Sequence, residues 1–432
     1  MVDKFLTVKE ALAKGKGKVQ LRGWAYRERK FADKVFVVLR DSTGIIQCVI
    51  KKDAVPAKTF TSAEDVSIES SCMIAGELKK DERAPGGYEV QATDFQMVQR
   101  AETFPIAKDF SPEFLLDVRH LWLRSRKLTA VMKVRDTVLW AIREFFRKDG
   151  YYEWSPPIFT PVACEGATTL FEVKYFDDKA YLTQSWQLYA EAGIFSLEKI
   201  FTISPCFRAE RSRTSRHLAE FLMAEAETAW QDFAGLQKQT EELVSFIIQS
   251  VVEKHPDELK EIGQDIAKLK KIKPPFPRMT YTDVLKLLKE KEGKSIPWGK
   301  DLRTVEEDLL MKHFDKPVIV TNYPKEIMAF YKPADPKDPK TALCMDMLAP
   351  EGYGEIIGGS QRDLDVKAMQ KALKDAGEHA EHYQWYFDSR KYGSVPHAGF
   401  GLGVERIIAW LCKLDTIKDA IPFPRTMSRK TP

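Results

Sequence analysis

The segment Phe207-Arg-Ala-Glu-Arg-Ser-Arg-Thr-Ser-Arg-His217-Leu-Ala-Glu-Phe221 places five potentially cationic side chains between two apolar runs. Two strands joined by such a loop would direct several guanidinium groups at one polyphosphate, which arginine binds through paired hydrogen bonds. A solvated basic hairpin is the common alternative for a cluster of charges. Two details oppose it: Arg208 lies between an apolar Phe207 and Glu210, and Phe221 ends the loop where an aromatic ring could stack on a base.

Two further motifs lie downstream. Gly399-Phe-Gly-Leu-Gly-Val-Glu-Arg-Ile-Ile-Ala-Trp410 alternates glycines along a predicted strand, so another group can approach the backbone, and Arg406 begins the predicted helix. It is neither a Rossmann turn nor a P-loop, and tight packing of strand on helix would also explain it. Asp346-Met-Leu-Ala-Pro-Glu-Gly-Tyr-Gly-Glu355-Ile-Ile-Gly-Gly-Ser-Gln-Arg362 has carboxylates on both sides of a turn. That arrangement suits a hard cation beside a triphosphate, although surface acids are the default for a loop.

The amino-acid composition is that of an ordinary globular protein. The chain has 432 residues, is 44% hydrophobic and 30% charged, and carries a net charge of +4, which excludes fibrous and disordered classes and permits a polyanionic partner. The six cysteines form no C-x-x-C pair, so neither a zinc ribbon nor a disulfide framework is expected. The charged N-terminus lacks the apolar core of a signal peptide, and no uncharged apolar run reaches the roughly 18 residues of a membrane span. We expect a cytoplasmic, reduced protein without a membrane partner.

The first hundred residues alternate in short apolar runs separated by turn signals. Five predicted strands within about 80 residues, without a long helix among them, indicate a small closed barrel. The runs are Val19–Trp24, Val35–Leu39, Ile45–Ile50, Cys72–Ala75 and Tyr88–Ala92.

The rest of the chain has the pattern of a mixed α/β domain. Leu128–Asp149 has helical periodicity with Gly150 as its C-terminal cap. Residues 151–232 have the pattern of strands with turns, and Phe233–Lys273 is helical and charged. Strand-like runs return at Pro317–Thr321 and Leu343–Leu348.

Order and separation of these motifs resemble those of class II aminoacyl-tRNA synthetases. The basic segment resembles motif 2, the glycine-rich segment motif 3, and Phe423-Pro-Arg-Thr-Met-Ser-Arg429 the closing F-P-R-x-x-x-R. A barrel at the N-terminus resembles the anticodon-binding domain of subclass IIb, whose members are specific for aspartate, asparagine or lysine. Leu128–Gly150, leading into Pro156-Pro157, loosely resembles motif 1, which builds the dimer interface in the family, so a homodimer is expected.

The resemblance implies an α+β multidomain protein. An OB-fold barrel over 1–104 is expected to be joined by a hinge or linker, 105–127, to a class II synthetase catalytic domain over 128–432. That domain would contain an antiparallel sheet flanked by helices.

Among the three amino acids of subclass IIb, the motifs of this chain favour asparagine. Asn322–Tyr331 and Gly354–Arg362 resemble segments of the asparagine-specific members. Aspartate-specific members carry a lysine directly after Q-L-Y/F, but here Ala190 follows Tyr189. A neutral carboxamide needs no second cation, and burying an unpaired carboxylate costs several kcal/mol. The expected reaction is ATP-dependent activation of L-asparagine and its transfer to tRNA(Asn).

Departures from the family pattern leave alternatives open. Trp186 stands where a small residue or proline is usual, and Leu222-Met-Ala224 interrupts the common F-W-H-L-E pattern. These changes are either neutral or alter specificity. The alternatives are an aspartyl enzyme, possibly charging both tRNAs, a tRNA-independent paralogue such as an asparagine synthetase, and a non-catalytic RNA-binding relative. The last is disfavoured because a binding module has no need for an ATP site.

Residue roles follow from matching positions and are implied by the resemblance. Arg208 would bridge the α-phosphate of ATP and the substrate carboxylate, and Arg406 would cover adenine opposite Phe221 and reach the γ-phosphate. The full set expected to bind ATP is Arg208, Glu210, Arg216, His217, Leu218, Phe221, Glu355 and Arg406, with Mg²⁺ held by Asp346 and Glu355.

The amino-acid site and the anticodon site are implied in the same way. Glu165, in a loop Glu165-Gly-Ala-Thr-Thr-Leu-Phe171 resembling the family's lid, would hold the α-ammonium with Gln187. Arg362 would contact the carboxamide oxygen, and Glu225 the amide NH₂ or the ammonium; Arg208 completes this set. In the barrel, Phe36 aligns with an aromatic that stacks on the middle anticodon base and Gln47 with an amide that reads it, although a core role for Phe36 is a fair alternative.

Overall fold

The computed structural model describes residues 4–166, 169–211 and 214–432. It divides into two compact units, Met1–Leu116 and Asp117–Pro432. Arg213 of the basic segment and two residues of the predicted lid loop, Ala167 and Thr168, lie outside the described residues. The predicted domain limits at 104 and 128 stay predictions.

The first unit is a closed five-stranded barrel with strand order β1-β2-β3-β5-β4. β3 and β5 pair in parallel and the other neighbours are antiparallel. Every predicted strand lies within one of these strands, so the predicted barrel is confirmed. The elements are α1 (Val8–Lys14), β1 (Gly17–Lys30), β2 (Lys34–Arg40), β3 (Ile45–Lys51), α2 (Ala57–Glu64), β4 (Ser71–Lys80), β5 (Tyr88–Gln99) and α3 (Pro112–Asp117).

The second unit is organised on an eight-stranded sheet with strand order β12-β13-β16-β17-β18-β11-β10-β6. The six strands from β13 to β10 are antiparallel, as predicted, but both edge pairs, β12 with β13 and β6 with β10, are parallel. The strands of this sheet are β6 (Tyr152–Glu153), β10 (Lys199–Phe207), β11 (Glu220–Ala229), β12 (Arg278–Thr280), β13 (Val318–Thr321), β16 (Cys344–Ala349), β17 (Gly354–Gln361) and β18 (His397–Gly403).

Two small sheets and eleven helices complete the second unit over its described residues. One sheet consists of β7 (Phe159–Thr160), β8 (Phe171–Tyr175) and β9 (Asp178–Leu182), the other of β14 (Ala334–Asp335) and β15 (Asp338–Ala342). The helices are α4 (Arg119–Trp122), α5 (Arg126–Lys148), α6 (Gln187–Leu197), α7 (Phe233–Lys254), α8 (Pro256–Glu261), α9 (Ile266–Lys270), α10 (Tyr281–Glu292), α11 (Thr304–Met311), α12 (Val366–Asp375), α13 (Gln384–Lys391) and α14 (Val404–Leu411).

The large core lies between one face of the eight-stranded sheet and the helices α5, α7 and α14. Side chains alternate between the two faces of a strand. In β18, Ala398, Phe400 and Leu402 belong to this core, so the intervening glycines Gly399 and Gly401 line the opposite face. The opposite face is therefore the one on which a ligand can lie close to the backbone.

The helix predictions hold except in one region. The helix predicted at Leu128–Asp149 is α5, and Gly150 after it has the expected positive φ of 79°. Residues 187–197 form the helix α6, although strands were predicted for 151–232. Leu188, Ala190, Gly193 and Ile194 of α6 are all buried, and no polar stripe marks the helical period. No helix among the described residues combines the length and apolar composition needed to cross a bilayer.

Candidate active site

Two adjoining cavities lie on the glycine-lined face of the sheet. The first, of about 560 Å³, contains every side chain predicted to bind ATP: Arg208, Glu210, Arg216, His217, Leu218, Phe221, Glu355 and Arg406. The second, of about 1110 Å³, contains all those predicted to bind the amino acid and the cation: Glu165, Gln187, Arg208, Glu225, Arg362, Asp346 and Glu355. Arg208 and Glu355 line both cavities, so the two predicted sites meet at these residues.

Arg208 lies at the junction of the two cavities and forms no ion pair with any residue that the structure describes. It follows β10, and its backbone N–H donates to Ala219 O at 3.0 Å. Its guanidinium carbon lies 5.4 Å from the centre of the Phe221 ring, and its buried Nε has no hydrogen-bond partner among the described residues. Burial acts to lower the pKa of Arg208, but Glu165, Glu355 and Glu210 outweigh it and raise the pKa. A buried cation of this kind is suited to an anionic ligand.

The other basic side chains of the first cavity are held by carboxylates or carbonyls. Arg216 Nη2 donates to Asp308 Oδ1 at 2.8 Å, and His217 Nε2 lies 3.4 Å from Glu210 Oε2. Arg406, in the first turn of α14, donates to the backbone oxygen of Glu355 at 2.6 Å. Burial lowers the pKa of His217. These groups surround the end of the cavity farther from the amino-acid site.

Asp346 and Glu355 form the predicted cation site. Asp346 on β16 pairs in register with Gly358 on β17, and a Cβ on Gly358 would lie 3.0 Å from Glu355 Oε1 and 3.6 Å from Asp346 Oδ1. Burial and then Glu355 raise the pKa of Asp346 well above its ordinary value. No group of three potential metal ligands occurs among the described residues. Two carboxylates are the protein share that Mg²⁺ takes when phosphate oxygens and water supply the rest, so these residues fit the ion.

The amino-acid end is built from polar groups that are already held in place by hydrogen bonds, some of them exposed, like Glu165, and others buried, like Gln187. Glu165 Oε1 accepts from the Tyr331 hydroxyl at 2.7 Å. Gln187 Nε2 donates to Glu191 Oε1 at 2.9 Å, which leaves the Gln187 amide oxygen to accept from an ammonium.

Arg362 and Glu225 are also held in place by hydrogen bonds. Arg362 forms paired bonds with Glu227, at 3.0 Å from Nε and 2.8 Å from Nη2. Glu225 accepts from the Ser185 hydroxyl at 2.5 Å and from Trp186 N at 2.9 Å, and burial raises its pKa.

Glu405 connects the three motif segments through one carboxylate. Its Oε1 accepts from Arg135 of α5 at 2.7 Å, and its Oε2 accepts from the backbone N–H of Leu222 on β11 at 2.9 Å. Glu405 itself is in the first turn of α14 and is 1% exposed. The segments resembling motifs 1, 2 and 3 are therefore joined at a buried point.

The departures from the family pattern occupy different environments. Trp186 is buried with Ala190 and Ile194 of α6, and its ring centre lies 6.0 Å from that of Trp154. Met223 lines both cavities, at their junction. Ala224 faces the helix side of the sheet, in the main core.

Several cavity residues were not predicted. Glu227 had a detectable signal, because it stands two residues after Glu225 on one strand and therefore faces the same side. Lys332 and Asp301 enter the second cavity from segments outside the regular strands and had no local signal. Tyr331 lies within a segment that was singled out, but no role was assigned to it.

Phe36 and Gln47 lie on the outer face of the barrel. Val35, Val37 and Leu39 of β2 are in the barrel core, so the intervening Phe36 points outward and is half-buried. The alternative of a core role for Phe36 is therefore wrong.

The same outer face carries Gln47. The register pairs Phe36 with Val49 and Val38 with Gln47, which sets the two predicted anticodon residues on one face. Gln47 Nε2 donates to Glu89 at 3.0 Å.

Comparisons with known proteins agree with this architecture. Residues 111–427 match the family model described as tRNA synthetases class II (D, K and N), and residues 19–98 match the OB-fold nucleic acid binding domain. The asparagine–tRNA ligase of Thermococcus kodakarensis is 51% identical over 416 residues, 96% of each chain, and that of Thermococcus gammatolerans is 50% identical over 96% of each. The asparaginyl-tRNA synthetase of Pyrococcus horikoshii, solved with asparaginyl-adenylate, superimposes with a TM-score of 0.96 at 47% identity over the whole of both chains. The chain therefore belongs to the class II tRNA synthetases (D, K and N) and, within them, to the asparagine–tRNA ligases, as its motifs indicated.

Proposed function

We propose that this protein is an asparagine–tRNA ligase. It uses ATP to convert L-asparagine to asparaginyl-adenylate, transfers the asparaginyl group to the 3′ adenosine of tRNA(Asn), and releases pyrophosphate and AMP. One observation carries the proposal: Arg208, whose buried Nε has no hydrogen-bond partner among the described residues, lies where the two cavities meet. A cation at that point can contact the α-phosphate and the substrate carboxylate together, and so stabilise the charge that develops as they join.

The nucleotide is bound by the first cavity. Phe221 stacks on adenine, Arg406 covers the other face and reaches the γ-phosphate, and Glu210 accepts from the adenine amino group. Arg216 and His217 contact the outer phosphates, and Leu218 packs beside the base. To do so, Arg216 exchanges its bond to Asp308 for a charge-assisted bond to phosphate.

Asp346 and Glu355 would hold Mg²⁺, which would supply positive charge beside the phosphate oxygens. The two carboxylates set its position from adjacent strands, β16 and β17, which are rigid supports for a site.

Asparagine is bound by the second cavity. Glu165 and the Gln187 oxygen hold the α-ammonium, Arg362 donates to the carboxamide oxygen, and Glu225 accepts from the carboxamide NH₂. Ala190, the position of the aspartate-specific lysine, is buried in an apolar cluster, so no cation from it reaches the substrate. The carboxylate of the substrate is already a nucleophile, and the first step therefore needs orientation rather than a general base.

The barrel binds the anticodon of tRNA(Asn). Phe36 stacks on the middle base and Gln47 reads its edge, with Arg29, the register partner of Phe36, available for phosphate contact. The outward position of Phe36 supports this role.

The active form is a cytoplasmic homodimer. Exposed apolar side chains on and just after α5 support a subunit interface there, among them Trp140 at 44%, Tyr152 at 57% and Phe159 at 52% exposure. Burial raises the pKa of several thiols, such as Cys72 to about 12, which suits cysteines that remain reduced. Sedimentation of the purified protein checks the dimer, and a stable monomer at micromolar concentration would contradict it.

Charging of total tRNA with labelled asparagine and labelled aspartate in parallel tests the function. We expect asparagine alone to be charged, and Arg208→Lys to lose most of that activity while its melting temperature stays close to wild type. Charging of both amino acids would support a non-discriminating aspartyl enzyme. Amino-acid-dependent pyrophosphate exchange without any charging would instead indicate a tRNA-independent adenylate-forming paralogue.

A further inference from the structure

Glu191 is a fully buried carboxylate on α6 that contacts neither cavity directly. Its Oε1 accepts from Gln187 Nε2 at 2.9 Å and lies 3.8 Å from Arg362 Nε. Both of these neighbours line the amino-acid cavity. Glu191 therefore lies directly behind two side chains that the proposed function assigns to opposite ends of asparagine.

The other oxygen of Glu191 has three donors. Oε2 accepts from the Tyr386 hydroxyl at 2.8 Å and from His397 Nε2 at 3.0 Å, and it also pairs with Arg390. Arg390 in turn donates to the backbone oxygen of Asp363, the residue after Arg362. The network thus contacts both the side chain of Arg362, through Glu191, and the adjacent backbone at Asp363, through Arg390.

The charge of the network follows from its hydrogen bonds. His397 Nδ1 lies 2.7 Å from Val395 O, and a carbonyl can only accept, so Nδ1 carries a proton. Nε2 faces Glu191, and that carboxylate is ionised, because Arg390, His397 and Arg362 outweigh burial and lower the pKa of Glu191. Both ring nitrogens of His397 are therefore engaged, Nδ1 with Val395 O and Nε2 with Glu191 Oε2.

The network joins two carboxylates to three basic side chains. The carboxylates are Glu191 and Glu227, and the basic side chains are Arg362, Arg390 and His397. Removing the negative charge of Glu191 would leave Arg390 and His397 without their shared anionic partner. The excess positive charge would then lie directly behind Arg362.

We propose that Glu191 is a positioning and specificity-determining residue: through Gln187 and Arg362 it fixes the distance between the sites for the two ends of the substrate, and its charge disfavours an anionic side chain. The inference rests on the proposed function, because it concerns selection of asparagine over aspartate. Removal of the Glu191 charge would free Gln187 and Arg362 to move and would make the pocket more favourable for the aspartate carboxylate.

Glu191→Gln tests the inference by keeping the shape and removing the charge. We expect the KM for asparagine in pyrophosphate exchange to rise about 10- to 100-fold, as displaced positioning groups typically cause, with the KM for ATP within about twofold of wild type. The ratio of asparagine to aspartate activation should fall at least tenfold. Wild-type enzyme in the same assay must activate asparagine; if it does not, the proposed function fails rather than this inference.

A matched control separates positioning from general destabilisation. Glu241 is a buried carboxylate that pairs with Arg278 at 3.1 Å and accepts from Phe276 N at 2.8 Å, and it lines neither cavity. Glu241→Gln should lower the melting temperature and leave both the KM for asparagine and the discrimination ratio unchanged. Equal changes in the two glutamine variants would overturn the inference.

Tyr386→Phe covers the case in which Glu191→Gln does not fold. It removes one neutral donor to Glu191 and no charge. We expect a several-fold rise in the KM for asparagine and no change in the KM for ATP. An unchanged KM for asparagine in this variant, or an unchanged discrimination ratio in folded Glu191→Gln, would overturn the inference.

Discussion

Replacing Gly399 by alanine should break the ion pair beneath the amino-acid cavity. A Cβ on Gly399 would overlap Glu227 Oε2, lie 2.5 Å from its Cδ, and lie 2.6 Å from the backbone oxygen of Ala226. Glu227 therefore has to leave Arg362, and the Ala226 carbonyl, which belongs to the neighbouring strand, still crowds the new Cβ and strains the pairing of the two strands. Gly399 has no positive φ, so the backbone itself would accept alanine.

The size of the effect follows from two opposing contributions. Breaking a buried ion pair costs about 3–5 kcal/mol. Alanine also restricts the unfolded chain, which stabilises the protein by about 0.4–1 kcal/mol. The crowding of the Ala226 carbonyl adds to the first contribution, so we expect the free energy of unfolding to fall by at least about 2–4 kcal/mol, with a rise in the KM for asparagine because Arg362 loses its support.

Urea unfolding followed by tryptophan fluorescence measures the loss, and Gly403→Ala is the matched control. Gly403 is on the same strand and face, but its Cβ would meet only side-chain carbons of Arg406, at 3.7 Å. That variant should unfold within about 1 kcal/mol of wild type. Equal stability of the two alanine variants would refute the reasoning.

Three further predictions concern the nucleotide, the pH dependence and the barrel. Phe221→Ala should raise the KM for ATP by about 5- to 100-fold, the effect of losing a stacked base, and leave the KM for asparagine unchanged; equal effects on both substrates would count against stacking. Burial, with Glu355, raises the pKa of Glu307 from 4.5 to about 7. Between pH 4.5 and 7, the folded ligand-free chain therefore keeps a proton that the unfolded chain releases. The free energy of unfolding falls as the pH rises through this range. Glu307→Gln should remove that loss, up to about 3 kcal/mol between pH 4.5 and 8 in thermal or urea unfolding; parallel profiles for variant and wild type would contradict it. Phe36→Ala should raise the KM for tRNA by about 5- to 100-fold with pyrophosphate exchange intact, and an unchanged KM for tRNA would exclude its contact with the anticodon.

Much of the fold and site was predictable because the signals are local. The barrel strands alternate with period two, and the site residues occur in compact motifs whose order is specific. The helix α6 was missed because its exposed face carries the apolar Ala192 and Phe195, while Gln187 and Glu191 are buried, which leaves no polar stripe at helical spacing. The parallel edges were also missed, since β6 has only two residues and β12 three.

What sequence reasoning could not reach is the set of long-range contacts. Glu191 is joined to Arg390 and His397, about 200 positions away, and no local pattern indicates such a pair. Lys332 and Asp301 reach the cavity from loops for the same reason.

The shared carboxylate of Glu405 has a consequence for how the catalytic unit fails. Helix α14 loses a buried bond if either helix α5 or strand β11 withdraws, and both α5 and β11 lose one if α14 withdraws. Partial unfolding that detaches one of these elements would therefore destabilise the contacts of the others. A proteolytic cut between residues 135 and 405 would not release a fragment that keeps a working nucleotide cavity. Heat or denaturant should thus abolish ATP binding and the helical packing of α5 in one step, so the unit is lost as a whole rather than piece by piece.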